Sequence, residues 1–143
     1  MLVSNRLTTD VLQVVRAEIA AQIQAYRDLV GAASKASGMS LVRIDAALAT
    51  FEPAFFNNLL VALDARFAGR PDTPGPSAEV RLLAASLLRG GGLLGADPAI
   101  PYDAGSSVLR IDVGERIALN GDDFEALCAA FLAALETRAT GAA

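Results

Sequence analysis

Histidine does not occur anywhere in the 143 residues, and cysteine occurs once, as Cys128. Without an imidazole to accept a nucleophile's proton, neither Ser-His-Asp nor Cys-His catalysis can be assembled, whether from one subunit or from several copies. Zinc sites of the usual kind need several Cys or His ligands, so no metal centre is expected. A lone cysteine forms no intrachain disulfide, and Met1-Leu2-Val3-Ser4-Asn5-Arg6 lacks the basic start, apolar stretch and cleavage site of a secretory signal. Together these two absences lead to the expectation of a reducing, cytoplasmic setting. Cys128, one position from Leu127 and three from Phe131, has no cation beside it in sequence and reads as buried filler.

Long hydrophobic runs are also missing. The longest uncharged run, Pro53 to Leu63, is far short of the roughly 20 apolar residues that span a bilayer, so no membrane association is expected. Positive charge is scarce and scattered. The chain carries a net charge of −4, with seven bases against six acids in residues 1 to 70 and five against ten in 71 to 143. Nucleic-acid binding needs a positive surface that replaces the counterions around phosphate, and no Lys/Arg cluster with interleaved aromatics supplies one. A helix-turn-helix regulator is disfavoured on the same charge balance, and no nucleic-acid partner is expected.

What is present is helical periodicity. Leu12, Val15, Ile19, Ile23, Tyr26 and Val30 recur at steps of three and four, predicting an amphipathic helix of about 25 residues and roughly 35 to 40 Å. Thr8, Thr9 and Asp10 are its candidate caps, and Ser37-Gly38 its candidate stop. A helix this long in a small chain invites a partner. A second helix is expected from Ser40 with Leu41, Ile44 and Leu48, and a third restarting at Glu52-Pro53, because proline suits a first helical turn and not an interior. Phe55, Phe56, Leu59, Leu60, Leu63 and Phe67 make that third helix apolar on more than one stripe, the pattern of a central core helix.

Three prolines within residues 70 to 76 predict an exposed loop, after which Ser77 is the candidate cap of a further helix ending at Gly90-Gly91-Gly92. The glycine run follows a helix and has no Lys-Ser/Thr, so it reads as a stop and not as a phosphate cradle. Period two over Leu109, Ile111, Val113, Ile117 and Leu119 predicts a small antiparallel β element within 100 to 119, with Ile100 to Tyr102 as a possible third strand. A three-residue turn there pairs Val113 with Ile117 and Ile111 with Leu119. The last helix opens at Asn120, a candidate cap followed by Asp122 and Asp123 where negative charge meets the helix N-terminus. The expected architecture is one mainly α domain over 1 to 143, with four to five helices around a central apolar helix and the β element before the C-terminal helix.

The candidate site is a ligand-binding one. Asn57 and Asn58 are poor helix-interior residues set between Phe55-Phe56 and Leu59-Leu60. Their amides either hydrogen-bond a neighbouring loop or subunit, or orient a small ligand in an aromatic pocket lined by Phe51, Phe55, Phe56, Asn57 and Asn58, with Tyr26 contributing. No catalytic pair can be nominated and no cofactor is expected. The leading expectation is a non-enzymatic interaction or accessory protein that forms a homodimer through its helices. The alternative is a small-molecule binding module, or a carboxylate- and amide-based enzyme, holding a small apolar ligand between helices.

Overall fold

The computed structural model describes residues 8 to 141, and among them four helices account for all the regular structure. The first, α1 (Thr9–Ala33), starts where expected: the Thr8 hydroxyl accepts the Val11 N–H at 3.3 Å. Leu12, Val15 and Ile23 form its buried stripe, with Ile19 and Tyr26 packed beside them. The last, α4 (Gly121–Ala139), is capped by Asn120, whose side chain accepts the Asp123 N–H at 2.7 Å. Phe124, Leu127, Cys128, Phe131, Leu132 and Leu135 are buried along it.

Between them the chain departs from its sequence pattern in four respects. The two helices expected to meet at Glu52-Pro53 are one, α2 (Met39–Arg66), with Pro53 in its interior. Proline there removes one i to i−4 hydrogen bond, yet Glu52 and Asn57 are hydrogen-bonded to the segment 117 to 121, Phe56, Leu60 and Leu63 are buried, and that packing carries the helix through. Among the described residues α2 is also the one helix long and apolar enough, by length and composition, to cross a bilayer. Its C-terminal half is bound into the helical core through Phe56, Leu60 and Leu63.

The most buried helix is not this one but α3 (Pro76–Arg89), in which Ala78, Val80, Leu82, Leu83 and Ala84 are buried together with Ser77, Glu79 and Ser86. The apolar excess of α2 therefore does not mark the centre of the fold. Helix α3 begins one residue before Ser77, and Gly75 stands at its N-cap without a side-chain cap. The Ser77 hydroxyl instead accepts Arg70 Nε at 2.9 Å. Gly90-Gly91-Gly92 ends α3 as expected: a Cβ at Gly90 would lie 2.9 Å from the Ser86 carbonyl oxygen, and Gly91 and Gly92 have φ of 67° and 86°.

The predicted β element over 100 to 119 is absent. Among the described residues no strand forms, and the one β contact is an isolated antiparallel bridge between Leu93 and Arg116. Arg110 takes φ of 55°, which breaks an extended run, and its N–H is held by the Ser107 hydroxyl at 2.9 Å. The Val108 and Leu109 N–H groups go to the buried Glu79 carboxylate at 2.9 and 3.0 Å, so a side chain of α3 replaces a partner strand. Farther on, the residues after Val113 pair with residues 92 to 94: Gly114 N to Leu94 O at 2.8 Å and Ile117 N to Gly92 O at 2.7 Å. Burial does alternate at the end of the segment, where Ile117 and Leu119 are buried and Ala118 is exposed, but Val113, expected on the same stripe, is 56% exposed. Residues 90 to 120 are thus an irregular cover laid over α3.

Helix α1 runs antiparallel to α4, joined by Arg16 to Glu136 at 2.6 Å near one end and Arg27 to Glu125 at 2.5 Å near the other. It is also antiparallel to α2, where Glu18 pairs with Arg66 and Tyr26 lies against Phe55 and Phe56.

Candidate functional site

Five aromatic rings meet where α1, α2 and α4 converge. Phe51 stacks on Phe55 at 5.5 Å, Phe55 on Tyr26 at 5.7 Å, and Phe56 meets Tyr26 edge-on at 4.9 Å and Phe124 at 5.6 Å. Offset and edge-to-face contacts of this kind add roughly 0.5 to 1.5 kcal/mol per pair beyond area burial. The cluster is graded, from fully buried Phe56 through half-buried Phe55 to Phe51, which is 45% exposed. A Cβ at Gly121 would approach the Phe56 ring to 3.3 Å, so glycine lets the start of α4 close over this ring. Burial, with Glu52 nearby, raises the Tyr26 phenol above its ordinary pKa.

The asparagines divide. Asn57 Nδ2 donates to the Ile117 carbonyl at 3.0 Å, and its Oδ1 accepts the Leu119 N–H at 3.2 Å. One amide thereby gives the 117–119 backbone both partners that a neighbouring strand would have supplied. Glu52 extends the same seam by accepting the Gly121 N–H at 3.1 Å. Asn58 points away from this contact and is exposed. The structure therefore brings together Phe51, Phe55, Phe56 and Asn57, leaves Asn58 outside, and directs the Asn57 amide at a loop. The acids Asp122 and Glu125 face Arg27 of α1, at 3.6 and 2.5 Å, which adds an interhelical role to the expected helix-start one.

The feature that the sequence pattern did not isolate lies next to this cluster. Arg27 meets Asp122 and Glu125, and Glu52 meets Gly121, so the start of α4 stands opposite those two positions. Residues 28 to 51 project beyond it as a two-helix arm in which no residue is buried. The α2 part of the arm alone is about 20 Å long. Leu29, Met39, Val42 and Phe51 are exposed, Met39 and Val42 by 70% and 60%, while Val30, Leu41, Ile44 and Leu48 are only half-buried. Leu41, Ile44 and Leu48 were legible as a helical stripe. Met39 and Val42 fall off that stripe, and this second apolar line on a helix is the signal that marks the arm. No family model matches the chain, nor does any curated protein or solved structure.

Proposed function

We propose that the protein is a non-enzymatic, cytoplasmic interaction protein that self-associates as a homodimer through the arms formed by residues 28 to 51. The observation that carries this reading is the arm itself, eight large apolar residues on two helices with none buried. Exposed apolar side chains gathered on one segment favour an interaction site, because leaving them in water costs about 25 cal/mol per Å2. Two helices can shield only the seam between them, whereas two such hairpins laid together make a four-helix arrangement with a shared interior. The charges fit a second copy better than a strongly charged partner: Asp28, Lys35, Arg43 and Asp45 sum to zero. Among the described residues Lys35, Arg43 and Asp45 form no ion pair within the chain, so a two-fold contact can set acids of one arm against bases of the other.

Light scattering after size-exclusion chromatography tests this. The parent chain is expected at twice its 14.8 kDa mass, and Val42→Glu, on an exposed face, at the monomer mass with unchanged helical circular dichroism. A parent chain that stays monomeric across a hundredfold concentration range overturns the proposal.

A further inference from the structure

At the opposite end of the molecule from the arm, a cleft of about 790 Å3 opens between the start of α1, the end of α2 and the end of α4. Its volume lies within the range of small-molecule sites, about 300 to 1,000 Å3. Phe67 and Leu135, both buried core residues, form an apolar floor. Arg66 and Arg138 line the walls with Thr9, Arg70 closes one side with its guanidinium turned into the protein, and among the described residues no carboxylate lines the cleft.

The three arginines differ in what they have left to offer. Arg70 is committed: its guanidinium, with a side chain of 0% exposure, donates to Ser77 Oγ and O, to the Asp64 and Phe67 carbonyls, and pairs with Asp64 at 2.7 Å. It supplies a rigid wall and stacks 4.7 Å over Phe131. Arg66 pairs with Glu18 outside the cleft, both side chains being about half-exposed, and an exposed pair of this kind contributes too little to hold the guanidinium against an incoming anion. Arg138 is exposed and among the described residues forms neither an ion pair nor a side-chain hydrogen bond. A cation in the last turn of α4 is accounted for by the helix dipole, but its place beside Arg66 in the lining of this cleft is not. The first turn of α1, where Asp10 offsets the partial positive charge of the helix end, borders the cleft through Thr8 and Thr9.

We infer that this cleft binds an amphipathic carboxylate, with its apolar tail on Phe67 and Leu135 and its head group between Arg138 and Arg66. Arginine suits that head group because its planar fork matches two carboxylate oxygens.

The experiment titrates sodium decanoate and, separately, inorganic phosphate into the 15N-labelled full chain and follows backbone amide shifts. Decanoate is expected to move the amides of Thr9, Phe67, Gly69 and Leu135 saturably, with phosphate moving them far less. Arg138→Gln, a surface change that keeps the amide spectrum folded, is expected to weaken decanoate about tenfold, and Arg66→Gln to weaken it as well. Decanoate shifts confined to Met39, Val42 and Phe51, shifts unchanged in Arg138→Gln, or phosphate acting as strongly as decanoate would each overturn the assignment. The readout is independent of the oligomer, since a monomeric Val42→Glu chain retains the cleft.

Discussion

Asn57 shows how a single side chain sets the course of a backbone sixty residues away. Its amide answers both the Ile117 carbonyl and the Leu119 N–H, and no other part of the described structure does so. Asn57→Leu leaves those two partly buried groups without partners and is expected to lower stability by about 1 to 3 kcal/mol in urea unfolding. Exposed Asn58→Ala is expected to stay within about 0.5 kcal/mol of the parent. Equal effects from the two substitutions would remove the loop contact as the reason for Asn57. Cys128 illustrates the opposite case, a reactive residue type made inert by its surroundings. Burial pushes its thiol up to about 12 from 9.0, with Arg16 opposing the shift. Because the folded-state value is the higher one, the thiol's contribution to stability is complete below pH 9 and falls as pH rises from 9 towards 12. Cys128→Ala is therefore expected to lose less stability than the parent between pH 9 and 10.5 in urea unfolding. Identical losses would mean that the alkaline decline comes from other groups, such as Tyr26 and Tyr102, whose values are raised in the same direction.

Among the elements, α2 carries the sharpest conflict between local preference and tertiary structure. Pro53 sits fourteen residues after Met39 inside an unbroken helix. The rule that proline starts a helix describes an isolated segment, whereas here Phe56 and Leu60 on one side and the seam of Glu52 and Asn57 hold the turn in place. Pro53→Ala restores a backbone donor at a helical position and is expected to raise stability by about 1 to 3 kcal/mol in thermal or urea unfolding. A fall in stability would show that proline contributes more at this position than the lost donor costs. The connection of residues 90 to 120 makes the complementary point. Its two-residue period was legible and correctly separates buried Ile117 and Leu119 from exposed Ala118. Strand formation did not follow, because the N–H groups that would have formed a ladder found Glu79, Ser107 and Asn57 instead. Period two separates the faces here except at Val113, which is exposed, and is silent on who accepts the hydrogen bonds.

On the scale of the whole molecule, the chain has a body in which four helices share one apolar cluster and an arm that contributes no buried residue to it. Segments with few buried contacts open at lower free energy than the core. In a dimer the arm amides gain protection that a monomer denies them. Hydrogen exchange read by mass spectrometry is thus expected to show residues 28 to 51 exchanging much faster in Val42→Glu than in the parent, with α3 alike in both. An arm that exchanges equally fast in both proteins would remove it from the interface.

Some of this architecture follows from the chain alone. Caps at Thr8 and Asn120, the stop at Gly90-Gly91-Gly92, the stripes of α1 and α4 and the mainly α class rest on interactions within a few residues, and such interactions are written locally. So are the exclusions, since a missing imidazole is missing in every fold. Tertiary structure alone decided that α3 and not α2 is the buried helix, that residues 100 to 119 form no sheet, and that Pro53 lies within a helix. Each of those depends on a contact between residues far apart in sequence: Glu79 with Val108, Asn57 with Ile117, Glu52 with Gly121. The arm and the arginine-lined cleft are decided the same way, because an apolar stripe or a scattered arginine acquires meaning only from what packing covers and what it leaves open.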